Sequence, residues 1–134
     1  MKLSEAMRLG AKMVPQAVGK MYYWLDEQNR PVHPERSAES IASADPIGLV
    51  VLGRAGSKKA AHKAAYGWHE TMPPLGIVNL AEQAWPELRA EVKETLPCGC
   101  PPHNRSLFMA VCHLNDTEKW TTEKIADWLE GRGV

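Results

Sequence analysis

Apolar residues fall in short stretches separated by proline, glycine and charge, a pattern of brief elements. Ala6, Met7, Leu9, Met13 and Val14 form a loose stripe. That stripe predicts a first helix capped by Ser4, with Glu5 in its first turn and Pro15 and Gly19 ending it. Met21 to Leu25 is rich in aromatics, the following DEQNRP is turn material, and Val32 comes next, so a small β-hairpin is expected. Ser37 to Ala44 suits one or two helical turns. Asp45-Pro46 is a stronger signal, because Asp caps a helix and Pro is pre-set for its first position. Ile47, Leu49, Val50, Val51 and Leu52 then predict a helix buried on most sides, stopped by Gly53 and Gly56. Ser57 caps another helix, Lys58 to Tyr66, with Gly67 as its stop. Asn79-Leu-Ala-Glu82 reads as a capping box opening a helix toward Leu96, kinked or restarted at Pro86. Leu107 to Leu114 is a continuous apolar run, read as helix with buried strand as the alternative. Thr121 caps the last helix, Glu123 lies in its first turn, Ile125, Trp128 and Leu129 share a face, and Gly131 ends it. The expectation is a mainly α fold, with α+β as the alternative. It is a single compact domain over residues 1–134, built of short helices with one small β-hairpin and a helix-turn-helix-like corner at the C-terminus.

Size and composition narrow the function. The chain has 134 residues, enough for one domain. Its formal net charge is zero, so no overall field draws it to nucleic acid or to an anionic membrane. Weak charge repulsion leaves homo-oligomerisation open. No run approaches the roughly 18 apolar residues of a membrane span, and the charged start MKLSEAMRLGAKMV lacks a signal-peptide core. A cytoplasmic location follows as the expectation. The three cysteines are an odd number, which points to metal ligation or free thiols.

All three lie in LPCGCPPHNRSLFMAVCHLND, residues 96–116. Zinc takes about four sulfur or nitrogen ligands in a tetrahedron. Cys98, Cys100, His103 and Cys112 make such a set, with His113 as the competing fourth ligand. Adjacent helical residues diverge by about 100°, so Cys112 and His113 do not readily share one ion. The cofactor expectation is zinc, in a structural role, or none. In the latter case the thiols are reduced and Cys112 packs in the core.

Other residues carry weaker signals. Arg54, Ser57, Lys58, Lys59 and Lys63 surround a glycine-containing turn into a helix, a possible anion or nucleotide site and the expected contact for any nucleic acid. Gly48 and Gly53 have P-loop spacing, but Arg54 and Ala55 stand where Lys and Ser/Thr are required, so ATP hydrolysis is not supported. Trp68 and His69 suit a partner surface. His113 and Asp116 are half of a general-base pair without a nucleophile. The simpler reading of His113-Leu-Asn-Asp116 is a corner held by Asn115, Asp116 and Thr121. Lys119, Lys124 and Arg132 face Asp116, Glu118, Glu123, Asp127 and Glu130 in that segment, a balance that repels phosphate.

Two end segments carry a family resemblance. HLNDTEKWTTEKIADWL, residues 113–129, and MKLSEAMRLGAKMVPQA, residues 1–17, resemble signatures of small uncharacterised proteins of phages and prophages. Relatives with C-x-x-C before H-L-N-D differ from Cys98-Gly-Cys100 by one residue. Where relatives open a small-residue helix with cysteine, this chain has Asp45-Pro-Ile-Gly-Leu-Val-Val-Leu. The resemblance implies a phage or prophage setting and brings no activity with it. Together with the small size, the zero net charge and the lack of a catalytic set, it leads to the expectation of a small non-enzymatic binding protein acting on a host or phage component, a protein above all, inhibition of a host defence system being one version. A minor virion or assembly protein, located in the virion, is one alternative. A zinc-assisted hydrolase using His113 and Asp116 is the other.

Overall fold

Helix α2, Pro46–Ala55, is the axis on which four other helices pack. Asp45 precedes it and accepts the Gly48 N–H at 2.8 Å, while Pro46 occupies the first helical position. Pro46 to Gly53 are all buried, as an apolar run without a polar face requires. The computed structural model describes residues 1–20, 22–67 and 76–134. The remaining elements are α1, Leu3–Ala11; β1, Trp24–Leu25; β2, Ser43–Ala44; α3, Lys58–Tyr66; α4, Gly76–Ala84; α5, Leu107–Asp116; and α6, Thr122–Gly131. Single 3-10 turns cover Ala38–Ser40 and Pro86–Arg89. The fold is mainly α with one small antiparallel strand pair, as the sequence predicts.

Helix α1 lies directly against α2. A Cβ added at Gly10 would run into the Leu49 carbonyl, and one at Gly53 into the Ala6 carbonyl. These two glycines let the backbones touch, and Leu3, Ala6, Met7, Leu49, Val50 and Leu52 close the core around the crossing. Helix α6 covers the far side of α1. Arg8 reaches Glu123, Asp127 and Glu130 across that junction at 2.6 to 3.1 Å. The acidic partners are exposed, so this network orients the helices more than it stabilises them. Ser4 is buried inside α1 and donates its hydroxyl to the Val134 carbonyl at 2.8 Å. It is therefore not the cap: that position belongs to Lys2, whose N–H faces the Glu5 carboxylate.

The sheet uses an unexpected partner. The loop after Leu25 does turn back, with Asp26 N–H donating to the Arg30 carbonyl and a single bridge between Leu25 and Pro31. The ladder itself joins Trp24 to Ala44 and Leu25 to Ser43. Asp26 explains why the loop stays closed. Its side chain is only 3% exposed, and it accepts from the Gln28 and Arg30 N–H groups and from both Arg30 and Arg36 guanidinium groups.

The expected long helix toward Leu96 does not form. Helix α4 begins at Gly76, so Asn79 lies inside it and not at its cap. Trp85 leaves the helical region, and Pro86 starts a 3-10 turn instead. Beyond it the chain is extended, because Val92 N–H donates to the Arg105 carbonyl and Leu107 N–H to the Ala90 carbonyl. That ladder closes the base of a loop covering residues 92–105. Among the described residues no helix is long and apolar enough to cross a membrane.

Candidate metal centre

The loop and the α5–α6 corner bring four potential ligands together. Inside the loop, Pro97 and Cys98 form a tight turn whose Gly99 N–H donates to the Leu96 carbonyl at 2.8 Å. Leu96 N–H returns to the Cys100 carbonyl at 2.9 Å, and Gly99 takes φ +95°, where a side chain is strained. Both cysteines are thereby held on one narrow turn, half-buried against the hydrophobic core. Arg132 at the end of α6 pairs with Glu94 and fastens the loop from its other side.

The opposite ligands come from the end of α5. Ser106 caps this helix through the Met109 N–H. At its far end the His113 carbonyl accepts from both Thr117 N–H and Glu118 N–H, at 3.0 and 3.1 Å. Glu118 is therefore fixed beside His113 by the backbone of the same turn. Lys119, at φ 56°, then redirects the chain so that Trp120 N–H reaches the Leu114 carbonyl.

Ligand atoms of Cys98, Cys100, His113 and Glu118 all lie within 4.8 Å of one another. Two separations can be set against a zinc tetrahedron. Bond lengths of about 2.3 Å to sulfur and about 2.1 Å to nitrogen or oxygen give edges of roughly 3.4 Å for N···O and 3.6 Å for S···O. The structure has 3.2 Å between His113 Nε2 and Glu118 Oε1, and 3.4 Å between Cys100 Sγ and Glu118 Oε1. His113 Nε2 is buried and makes no hydrogen bond, despite that short approach. Its direction is wrong for a ring N–H bond to the carboxylate. A nitrogen and an oxygen facing a common centre are arranged this way. Without an ion the Cys100 thiol is pushed up to about 11, first by its hydrogen bond with Cys98 and then by Glu118, so metal entry releases thiol protons.

The expected ligand set is corrected in two places. Cys112 points elsewhere: it shares a face of α5 with Phe108 and Asp116, and Phe108 packs edge-on against Tyr23. Burial there pushes the Cys112 thiol up, with the Asp45 and Asp116 carboxylates adding to the effect. His103 is exposed in the turn from Pro102 to Arg105 beside the neck of the loop, in a left-handed conformation, and stays outside the cluster. His113, the alternative ligand, takes a place in it, and Glu118 is a ligand that sequence spacing did not mark. His113 Nε2 turns to Glu118, while the Asp116 carboxyl accepts from Asn115 Nδ2 at 2.8 Å. The expected His113–Asp116 pair is not formed.

The corner is pinned from outside. Asn115 is fully buried, and its Nδ2 donates to the Ala17 and Lys20 carbonyls. Gln16 donates to Asn115 Oδ1 and to the Trp120 carbonyl, and accepts the Thr122 N–H. Thr121 caps α6 as expected, through the Lys124 N–H.

Among the described residues the basic segment gathers no comparable site. The Ser57 hydroxyl is occupied by the Ala60 N–H. Arg54 lies over the Trp85 ring and lines a cavity of about 120 Å³ with Val51, Ala64 and Leu80, whereas Ser57, Lys58, Lys59 and Lys63 do not line it. Trp68 and His69, the expected partner surface, lie outside the described residues.

No protein-family model, curated protein or solved structure matches the chain.

Proposed function

We propose that this is a non-enzymatic binding protein whose working surface is fixed by one divalent metal, zinc by its donor chemistry. Cys98 and Cys100 bring two thiolates, His113 an imidazole and Glu118 a carboxylate, a soft and borderline set suited to zinc over magnesium or calcium. The observation that carries this reading is the buried, unbonded His113 Nε2 aimed into a cluster whose two defined edges have tetrahedral length. The ion ties residues 92–105 to the α5–α6 corner and has a structural role. All four groups of the cluster are taken up as ligands, and Asp116 is engaged by Asn115. The resemblance of residues 1–17 and 113–129 to phage and prophage proteins supports a host or phage protein as the partner.

Elemental analysis of protein expressed with zinc and freed of loosely held ions tests the metal. One zinc per chain is expected, lost in Cys98→Ser and His113→Ala. Zinc-free protein that also gives no thiolate-to-metal absorption with cobalt(II) would end this reading. For the partner, cross-linking and mass spectrometry in infected cells should return a phage or host protein with the wild type and not with His113→Ala.

A further inference from the structure

We infer that Glu118 is an exchangeable ligand, and that its position on the ion accepts an external small-molecule thiol. This rests on the metal reading above and extends it.

The four ligands are unequal in chemistry and in place. Cys98 and Cys100 sit on a closed turn, and His113 is set in a helix with its side chain only 13% exposed. Glu118 follows the helix, in the exposed stretch 117–119, and its side chain is 32% exposed. It is the only one of the four classed with the exposed residues. Solvent therefore meets the cluster at the carboxylate vertex. Chemically, that vertex is also the hard oxygen donor beside two sulfurs and a nitrogen, and a thiolate binds zinc better than a carboxylate does. Three anchored donors keep the ion while the fourth is replaced, a pattern of open metal sites.

The exchange balances. The metal–oxygen bond to Glu118 breaks and a metal–sulfur bond to the incoming thiol forms. The thiol proton passes to the released Glu118 carboxylate and from there to water. No oxidant takes part.

Cobalt(II)-loaded protein titrated with N-acetylcysteine tests this. The thiolate-to-cobalt absorption should rise by about half, as two thiolates become three, with the visible bands remaining four-coordinate. Glu118→Ala should keep one cobalt per chain and take up the thiol at lower concentration. Cobalt bound with absorption unchanged by thiol overturns the inference and leaves the metal site standing. So does Glu118→Ala protein that binds no cobalt when wild type does, or a thiol that strips the ion from the protein. Wild-type protein that binds no cobalt overturns the metal reading itself.

Discussion

Gln16 Nε2 donates to Asn115 Oδ1 over 2.8 Å, joining residues 99 positions apart in the chain. The same amide holds the Trp120 carbonyl and the Thr122 N–H, so one side chain aligns α6 with α5. Removing it leaves those groups and Asn115 short of partners. Gln16→Ala is expected to cost about 1–3 kcal/mol, and Asn115→Ala a similar amount. Urea unfolding of both single variants and the double variant should show coupling of more than about 0.5 kcal/mol. Additive effects would mean that the two amides act independently.

The corrected ligand set makes a sharp comparison. Cys112→Ala and His103→Ala should keep the metal, whereas His113→Ala and Cys100→Ser should lose it. Elemental analysis of the four purified variants decides this. Retention by His113→Ala with loss by Cys112→Ala would restore the set expected from spacing.

Gly99 has open space around the position of a Cβ but a backbone that L-residues rarely adopt. Gly99→Ala should therefore lower stability by about 1 kcal/mol through strain alone. It should also weaken metal binding, because both thiols hang on that turn. A chelator competition assay beside thermal unfolding separates the two effects. Unchanged affinity would show that the thiols are not positioned by the turn.

Gly10 and Gly53 predict a harsher outcome. Their neighbours are backbone carbonyls, which cannot move aside as a side-chain tip can. Gly10→Ala or Gly53→Ala should cost about 3 kcal/mol or more by separating α1 from α2. A loss below about 1 kcal/mol in urea unfolding would contradict the close crossing.

Two buried aspartates give pH effects of opposite sign. Hydrogen bonds from the Arg30 backbone, the Arg36 guanidinium and the Gln28 N–H hold the Asp26 carboxyl below its usual range. That contribution is present above the ordinary carboxyl pKa and fades as pH falls through the lowered value. Asp45 is held well above the usual range by burial, which outweighs the Gly48 hydrogen bond. Its contribution is present below the ordinary carboxyl pKa and is lost as pH rises toward the raised value. Asp45→Asn keeps a capping oxygen for Gly48. Its melting temperature should gain on wild type as pH rises from about 4, whereas that of Asp26→Asn should fall behind wild type below about pH 4, as pH rises from the lowered Asp26 value toward the ordinary carboxyl pKa. Parallel pH profiles for wild type and Asp45→Asn would show that Asp45 titrates normally.

Local chemistry was legible in the sequence. The caps at Asp45, Ser57 and Thr121 read correctly because each acts on an N–H three residues ahead. The run Leu107 to Leu114 became helix α5, and Pro46 to Gly53 proved as buried as its composition implied. What spacing could not supply was orientation and distance. Cys112 and His113 are neighbours in sequence, and about 100° of helical rotation puts Cys112 on the face of Phe108, which packs on Tyr23, while His113 meets the loop cysteines. Glu118 carries no motif; the double hydrogen bond at the His113 carbonyl brings it in. The extended pairing of Ala90 and Val92 with Leu107 and Arg105 displaced an expected helix, because a ladder across many residues leaves no local trace.

That ladder has an evolutionary consequence. A loop fastened at its neck is a cassette: its exposed positions can be exchanged while the ladder, Val92 and Leu96 keep its place against the core. The thiols travel with the cassette, while the imidazole and the carboxylate stay in the frame. Variants of this architecture are thus free to gain or lose metal dependence by editing one insert.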